Sequence, residues 1–497
     1  MPEQVALISV EAGPPSPAAT ARRGGSPTKL FRLWDPDQAA LLPASKRDYL
    51  GDAHLAVFLR DLLEQLDLRP ILDAYTEDRG QPPYDPRMMT GLLLYAYSQG
   101  ITSSRQIERR CREDLAFMYL TADAQPDHDT LCAFRRQHLA AFEPLFLETL
   151  RVARAAGVLK LGRIVLDGTK VRANASKHKA MSYARMPERE AALRTEIERL
   201  LTEAEAIDQA EDQRYGRGRR GDELPAELRD PTTRRQRLRE AKARLEAECK
   251  RELAAAKQAQ LEKIERAQRA LEAEAHAHAE AAGQRPDAAR PDPKAQRNFT
   301  DPESRIMKTP DGFQQCDNAQ VAVDEHSQLI VATNVVTAAN DKQQLQPLVA
   351  QGISNVGVPR GVIADSGYFS EDNVLAVEEW EGVRLEAHIA VARDRHGAPP
   401  PGPPRGRIPA GLSVAERMRR KLRTKRGRAI YARRKCTVEP VIGQIKGRGF
   451  RRFSLRGLRG AKGEFTLVCV VHNLLKLWRA GMGQLRGSPA HGRLAYA

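Results

Sequence analysis

The sequence predicts an α/β protein in which a mixed sheet flanked by helices is preceded by an all-α domain and interrupted by a long helical insertion. Apolar residues recur at helical spacing up to about residue 157. From there to about residue 480, short β-branched runs alternate with helical segments. Residues 187 to about 284 are dominated by Ala, Glu, Arg, Lys, Leu and Gln, a composition typical of long exposed helices. These three observations give the expected order of domains.

The composition favours a soluble intracellular protein. A chain of 497 residues is long enough for two or three domains with cores of their own. Its six cysteines form no Cys-x-x-Cys pair and have no histidine partners at zinc spacing, which suits a reducing cytoplasm. The sequence has neither a basic start followed by an apolar run nor a stretch of about 18 apolar residues. We therefore expect no export and no membrane contact.

The positive charge is concentrated in one segment. Residues 401–460 contain 19 Lys and Arg against two acids, Glu416 and Glu439, which is a net charge of +17. The whole chain carries +16, so the remainder is close to neutral. Such a segment is the expected footprint of a surface that binds a polyphosphate backbone. Glu439 either neutralises a neighbour on a helix face or holds a cation against an anionic substrate.

The first 157 residues are predicted to be a disordered stretch, 1–30, followed by a helical DNA-binding domain, 31–157. Helical spacing predicts helices over residues 54–68, 86–97, 103–113 and 129–156. Gly100 separates the second helix from the third, and Ser103 with Gln106 predicts a capping box. Arg105 and Arg109 place positive charge on that third helix, as in a helix-turn-helix module. An ordinary helical pair with a solvated basic face fits the same pattern equally well.

The sheet domain is predicted over residues 158–186 and 298–480. Its expected elements, in order, are strands at 163–167, 316–323 and 328–336, a helix at 341–352 capped by Asn340, a strand at 361–365, a helix that begins after Ser370 and ends near Trp380, a strand at 385–391 and a last helix. Three strands followed by alternating helices and strands are the element order of the ribonuclease H fold.

The insertion, residues 187–297, is predicted to be an antiparallel, coiled-coil-like helical hairpin with its tip near residues 215–231. Its charges are roughly balanced, which favours a structural or oligomerisation arm over a second DNA-binding surface. Residues 481–497 are predicted to be a flexible tail.

Three acids are the candidate catalytic residues. Asp167 ends the apolar run RIVLD, Asp365 ends GVIAD, and Glu439 is predicted on the helix after the fifth strand. The ribonuclease H topology would bring all three carboxylates to one edge of the sheet. Carboxylates this close need cations, and Mg²⁺ binds through a few protein oxygens together with waters and phosphates. Taken singly, an aspartate after a strand is more often a turn residue. Taken together, the three predict a site for two Mg²⁺ ions, with Mn²⁺ as a substitute, and phosphoryl transfer on DNA.

The helix that carries Glu439 is predicted to face the DNA. Lys446 follows Glu439 by seven residues, so both lie on one helix face and the ammonium group could reach a phosphate held at the site. Pro440 fits a helix only in its first turn, so the helix either begins near Thr437 or kinks at the proline. Four residues just before it are predicted to lie over the DNA backbone: Tyr431, Arg433, Arg434 and Lys435.

Three segments, LDGTKVRANASKHKAMSYARM, ADSGYFSEDN and VEPVIGQIKGRGFRRFSLRGL, resemble the carboxylate motifs of the DDE insertion-sequence transposases, close to the group named for insertion sequence 1182. The resemblance extends over nearly the whole chain and includes an N-terminal helical transposase domain. It implies that Asp167, Asp365 and Glu439 are the metal-binding catalytic triad. It also implies a multimer that hydrolyses double-stranded DNA at element ends and transfers the strand into a target.

The same resemblance covers the residues around Glu439. Tyr431, Arg433 or Arg434, Glu439 and Lys446 resemble the Tyr, Arg, Glu, Lys signature of related transposases. The Tyr and Arg stand one residue further from Glu439 than is usual, which leaves Lys435 at the usual Arg position. The predicted DNA contacts are completed by Lys170, Arg448, Arg451 and Arg452.

The main hypothesis is a bacterial transposase of the cytoplasm and nucleoid. It would bind the terminal inverted repeats through its N-terminal helices and cut and join DNA with two Mg²⁺ ions. One alternative is a noncatalytic DNA-binding repressor or bridging protein derived from a transposase, against which the presence of all three acids argues. Another is a nuclease that hydrolyses DNA without strand transfer.

Overall fold

The computed structural model describes residues 45–75, 82–215, 231–285, 289–392 and 411–487, together with residues 402, 404, 406 and 409. The described residues within Ser45–Ala497 form one compact unit. The predicted disordered stretch 1–30, the tip of the predicted hairpin and most of the Pro-rich segment after residue 392 lie outside the described residues.

The N-terminal region is helical, as predicted. Its helices are α1 Lys46–Leu50, α2 Leu55–Leu63, α3 Arg69–Leu72, α4 Pro86–Ser98, α5 Ser104–Glu113, α6 Leu115–Thr121, α7 His128–Gln137 and α8 Phe142–Ala155. The predicted capping box is wrong, because the side chain of Ser103 accepts no hydrogen bond at the start of α5. The single helix predicted from 129 to 156 is also wrong, since a 3₁₀ turn, Leu139–Ala141, divides it into α7 and α8.

After the N-terminal helices, six of the described strands form a mixed sheet. It contains β1 Arg163–Arg172, β4 Arg305–Thr309, β5 Gly312–Asp324, β6 Ile330–Val336, β7 Gly361–Ala364 and β8 Glu386–Ile389. The order along the sheet is β4-β5-β1-β7-β8, and β6 pairs with β5. β5 is antiparallel to β1, whereas β7 is parallel to both β1 and β8. A separate small sheet pairs β2 Ala180–Ser182 with β3 Gln296–Asn298. The predicted mixed α/β architecture is confirmed, while β4 was not foreseen.

β1 does not end at Asp167, as the sequence predicts, but continues to Arg172. The reason is its antiparallel partner, because β5 pairs with β1 without interruption from Cys316 to Asp324. The parallel pairing with β7 stops at Val165, opposite Ile363. Beyond that point β1 projects past the end of its neighbour. The same register, continued by two residues, brings Asp167 level with Asp365, although only Asp365 follows a strand end.

The helices around the sheet are α11 Leu345–Val356, α12 Glu371–Glu378, α13 Val414–Arg423, α14 Lys425–Ala432, α15 Arg434–Gly447 and α16 Gly457–Gly487. Ser370 caps α12 through the amide of Asn373, as predicted. Asn340 does not cap α11, the helix before α12. There Asp341 precedes a 3₁₀ turn, Lys342–Gln344, which leads into α11. α16 continues to Gly487, into the segment predicted as a tail.

Two long helices, α9 Met186–Tyr215 and α10 Pro231–Ala281, lie in the chain between β2 and β3. Ion pairs join them at 3.0 Å between Arg194 and Glu265 and at 2.9 Å between Lys250 and Glu203. The later residue of α9 pairs with the earlier residue of α10, so the two helices run antiparallel. What they contribute to function stays a prediction.

α16 joins the N-terminal helices to the sheet. Glu464 on α16 is fully buried and accepts a hydrogen bond from the Tyr97 hydroxyl of α4 at 3.0 Å. The Arg135 guanidinium donates to the same hydroxyl at 2.9 Å. Next to this contact Gly100 has a φ of +76°, and a Cβ there would lie 2.0 Å from the carbonyl oxygen of Arg448. Only glycine allows this close approach of the two backbones.

Candidate active site

The guanidinium group of Arg434 lies among the three predicted acids. Its Nη2 donates to Asp167 Oδ2 at 2.9 Å and lies 3.9 Å from Asp365 Oδ2. Its Nη1 lies 3.5 Å from Glu439 Oε1. Strands β1 and β7 therefore supply two of the carboxylates, and α15 supplies both the third and the cation between them.

Backbone amides help to position the two aspartates. Asp167 Oδ1 accepts the amide of Gly168 at 2.9 Å. Asp365 Oδ1 accepts a hydrogen bond from the amide of Gly367 at 2.9 Å. Asp365 thereby caps a short 3₁₀ turn, Ser366–Tyr368. Each carboxylate thus has one oxygen held by its own loop or strand and the other directed at Arg434. Glu439 is the most exposed of the three, at 45% of its side chain against 13% for Asp167.

Burial controls the charge of Asp167. Burial, with a contribution from the neighbouring Asp365, raises the pKa of this carboxyl to about 6, although Arg434 opposes the shift. Burial also weakens the hydration of Arg434, but the contact with Asp167 keeps its pKa above the usual value. The Nε of Arg434 is buried and has no hydrogen-bond partner among the described residues. The arrangement holds together as an ion-pair cluster in which one cation serves three acids.

The structure distinguishes between the two arginines that resemble the signature arginine, because Arg433 pairs with Glu325 and Arg434 pairs with Asp167. Arg434 is 19% exposed and reaches the acids, whereas the adjacent Lys435 is exposed. α15 begins at Arg434, so the two side chains leave the first turn in different directions. Sequence spacing alone leaves Arg433 and Arg434 as alternatives, with Lys435 at the usual position.

Two lysines lie near the acids. Lys446 is half-buried, which lowers its pKa, and Asp167 is close enough to oppose that shift. It forms no ion pair within the part of the chain that the structure describes. Burial also lowers the pKa of Lys170 on β1, whose ammonium donates to the Ala339 carbonyl at 2.7 Å and lies 3.9 Å from Asp341.

Three predicted DNA contacts near α15 are exposed and directed at neighbouring groups. Arg433 pairs with Glu325 at 3.2 Å, and Arg452 donates to Asn174 at 2.9 Å. Arg451 donates to the backbone carbonyl of Lys446 at 3.4 Å.

The remaining predicted DNA contacts differ in exposure. Tyr431 is partly buried against the core. Arg448 faces inward, where its guanidinium donates to His472 Nδ1 at 3.1 Å. Arg105 and Arg109 are exposed on α5, and Arg109 pairs with Glu113 at 3.3 Å.

The inward contact of Arg448 defines the state of His472. Burial lowers the pKa of His472 to about 3, so the ring is neutral and its Nδ1 is an acceptor. Its Nε2 then donates to the carbonyl of Gln328 at 3.0 Å. This set of contacts gives Arg448 a structural position rather than a place on the open basic face.

Pro440 lies inside α15, neither at its start nor in its first turn. The alternative in which the helix begins near Thr437 is therefore wrong. Proline has no amide hydrogen, so the carbonyl of Cys436, four residues earlier, loses its helical partner. The side chain of Gln328, in the turn between β5 and β6, donates to that carbonyl at 2.8 Å. A tertiary contact thus replaces the missing helical hydrogen bond.

Sequence reasoning missed a fourth acid. Asp341 Oδ1 accepts hydrogen bonds from Asn318 Nδ2 at 2.7 Å and from Gln320 Nε2 at 2.6 Å. Gln320 in turn accepts a hydrogen bond from the buried hydroxyl of Tyr368, three residues after Asp365. The signal in the sequence was the same as for Asp365, an acid soon after an apolar strand, but it was taken for part of a helix start.

The carboxylate oxygens of this site are suitable ligands for a divalent cation. In the structure, however, they are not arranged to hold one. Three carboxylates converge on one cationic group, which is the charge pattern of a cation site. Among the described residues, however, no group of three or more His, Cys, Asp or Glu side chains is arranged to hold a metal ion. The guanidinium of Arg434 occupies the space between the carboxylates instead. Metal binding would therefore require Arg434 to move.

Two family models match the chain. Residues 45–137 match "Transposase domain (DUF772)", and residues 409–478 match "Transposase DDE domain". Together they cover about a third of the chain. The second match contains Arg434, Glu439 and Lys446, and both matches confirm the resemblance to DDE insertion-sequence transposases. No curated protein and no solved structure matches the chain. Among the described helices, none has the length and apolar character needed to cross a bilayer.

Proposed function

We propose, on the premise of the two transposase domain matches, that the protein cleaves DNA at the ends of an insertion sequence and transfers the cut strand into a target. The supporting observation is the convergence of Asp167, Asp365 and Glu439 on one cation, with Glu439 inside the DDE domain match. The three acids also occur along the chain in the order Asp, Asp, Glu. A structural ion-pair cluster would need neither this order nor the family match.

The sheet supports a ribonuclease H-like core. Apart from the short β4, the strands lie side by side in the order β6-β5-β1-β7-β8. Numbered by their order in the chain, these are the third, second, first, fourth and fifth strands. The second strand, β5, is antiparallel to the first strand, β1. The fourth and fifth strands, β7 and β8, run parallel to β1. This is the arrangement expected from the element order in the sequence. It brings the first and fourth strands together, and each carries one aspartate.

Asp167, Asp365 and Glu439 are the proposed ligands of two Mg²⁺ ions, for which Mn²⁺ would substitute. When bound, such ions would activate a water or a 3′-hydroxyl and stabilise the leaving oxygen of the phosphodiester. Arg434 would then lose its three partners at the site and be available to a DNA phosphate, for which a guanidinium is a bidentate donor. Lys446 and Lys170 lie at the edge of the same cluster, where a partly desolvated ammonium group binds a phosphate more strongly than it would in water.

The wider DNA contacts follow the charge. Helices α13 and α14 carry eight Lys and Arg between Val414 and Ala432, against one acid, Glu416. We assign phosphate contacts to this face and recognition of the element ends to the N-terminal helices, including Arg105 and Arg109. Assembly as a homo-oligomer on DNA and residence in the bacterial cytoplasm and nucleoid belong to the same proposal.

The experiment is cleavage of a labelled DNA duplex that carries the inverted repeat flanking the gene. Asp365→Asn should abolish cleavage in Mg²⁺ while DNA binding in a mobility-shift assay stays within about twofold of the parent protein. The matched control is Asp372→Asn, an exposed acid on α12 that should cleave normally. Cleavage by Asp365→Asn at the normal rate would refute the assignment.

Two further arms distinguish the alternatives. Replacement of Mg²⁺ by Ca²⁺ should allow DNA binding without cleavage. A pre-cut 3′-hydroxyl end incubated with a target plasmid should give joined product. A nuclease would cleave but not join, and a noncatalytic DNA-binding protein would do neither.

A further inference from the structure

We infer that Asp341 is a fourth carboxylate of the candidate active site and supplies an oxygen to the divalent ion held by Asp365. This inference rests on the proposed function. It assigns a role to a residue that neither the three-acid pattern nor the two domain matches contain. The inference starts from the two oxygens of Asp341, which have different surroundings.

One oxygen of Asp341 is fully engaged. Oδ1 accepts hydrogen bonds from two amide side chains of β5, Asn318 and Gln320, at 2.7 and 2.6 Å. Both donors are themselves fully buried. Amide nitrogens can only donate, so Oδ1 must act as an acceptor, and its orientation is defined. The second oxygen, Oδ2, is therefore directed away from β5.

Oδ2 faces Asp365. It lies 3.0 Å from the position that a Cβ on Gly367 would take, and Asp365 Oδ1 lies 3.0 Å from that same position. Oδ2 accepts no hydrogen bond from the described residues. Two carboxylate oxygens thus converge on one small space, which exists because residue 367 has no side chain. Gly168 also leaves space next to this cluster, since a Cβ there would lie 2.4 Å from the Gln320 amide nitrogen that donates to Asp341.

The charges near Asp341 leave room for a cation. Its nearest cationic group is the Lys170 ammonium, 3.9 Å from Oδ1 and already hydrogen-bonded to the Ala339 carbonyl. Arg434 approaches Asp365 only to 3.9 Å and makes its short contact with Asp167. Asp341 and Asp365 are therefore a like-charged pair whose cationic neighbours, Lys170 and Arg434, stay 3.9 Å from their oxygens. An oxygen-ligated divalent ion is the usual partner of such a pair.

The alternative is that Asp341 only holds the two amides in place. Asp341→Asn separates the two roles, because the asparagine oxygen can take the place of Oδ1 while an NH₂ group replaces Oδ2. A purely structural Asp341 would tolerate this change. A residue that supplies Oδ2 to an ion would not, since an NH₂ group does not bind Mg²⁺ or Mn²⁺.

The test measures Mn²⁺ binding to the full-length protein by isothermal titration calorimetry at pH 7.5, without DNA. It is made in an Arg434→Ala background, so that the guanidinium does not compete for the acids. Asp341→Asn should weaken Mn²⁺ binding at least tenfold, within the range seen when groups around a metal are changed. Asp372→Asn should bind as the background does, and Asp365→Asn should lose the site.

The outcomes separate the inference from the proposed function. Loss of Mn²⁺ binding in Asp365→Asn but normal binding in Asp341→Asn overturns the inference and leaves the function standing. Absence of Mn²⁺ binding in the background protein itself overturns the function. If Asp341→Asn does not unfold cooperatively, Asp341→Glu is measured in its place. The added methylene displaces the oxygen, so binding should again fall at least tenfold, and unchanged binding would overturn the inference.

Discussion

Replacement of Arg434 by Ala is the perturbation with the most informative result, because one cationic side chain lies against three acids. The variant leaves Asp167, Asp365 and Glu439 facing one another with no cation between them. Removal of one partner from a buried ion pair costs about 3–5 kcal/mol. The exposed fractions here, 19% for Arg434 and 45% for Glu439, reduce that figure through solvent screening. We expect a loss of about 2–3 kcal/mol in the free energy of unfolding at pH 8.

The loss should depend on pH with a definite sign. Burial already raises the pKa of Asp167 to about 6, and removal of Arg434 should raise it further, because Arg434 lowers it more than the Gly168 amide does. Below that pKa Asp167 is neutral in the folded state, so the missing cation matters less. The deficit of the variant should therefore shrink as the pH falls from 8 to 5.

The assay is urea unfolding followed by tryptophan fluorescence, in EDTA and in 1 mM Mn²⁺. Lys435→Ala is the matched control, since it removes the same charge from the neighbouring exposed position. In EDTA only Arg434→Ala should be destabilised, and Mn²⁺ should restore more stability to it than to the parent protein. An Arg434→Ala protein as stable as Lys435→Ala at pH 8, or one that gains nothing extra from Mn²⁺, would refute the reasoning.

Two further predictions concern stability. Burial raises the pKa of Asp317 from 3.8 to about 7, with Asp301 and Glu303 contributing, so its proton stabilises the fold at low pH and that contribution is lost as the pH rises from about 4 to about 7. The gain in unfolding free energy of Asp317→Asn over the parent protein should be smallest near pH 4 and reach about 4 kcal/mol at pH 8.5, measured by urea unfolding; a gain that does not grow with pH would contradict this. Pro440→Ala should stabilise the fold by about 1–3 kcal/mol, because it restores the amide donor to Cys436 and removes a ring from the helix interior. A lower urea midpoint for Pro440→Ala would show that the Gln328 contact requires the proline.

The candidate acids could be selected from sequence because each has a local signal. Asp365 follows a short apolar strand, and the structure agrees, since β7 ends at the residue before it. Asp167 was selected by the same signal, but the strand continues through it. It reaches the site because its parallel neighbour is shorter, and that is a property of two strands together. The local pattern therefore identified Asp167, although the strand end that it predicts at this residue is wrong.

Other parts of the site depend on contacts between distant segments, which carry no local signal. Asp341 is directed by amides on β5, more than twenty residues earlier in the chain. Arg434 and Lys435 are equivalent in any charge count, and only the packing of α15 separates them. The buried contact of Tyr97, Arg135 and Glu464 likewise joins segments up to 367 residues apart. Periodicity predicts which faces are apolar, but not which polar side chains meet beneath them.

Arg434 also bears on the order of events at the site. On the proposed function, the guanidinium and the divalent ions compete for the same carboxylates, so each binds more weakly in the presence of the other. A DNA phosphate offers Arg434 a new partner, and a guanidinium that has moved to the phosphate no longer opposes the ions. DNA binding should then raise the affinity for metal, and by thermodynamic reciprocity metal should raise the affinity for DNA by the same factor. In the free protein Arg434 offsets part of the charge of the three acids without any metal. The exchange of one cation for another would therefore join assembly on DNA to the formation of the site.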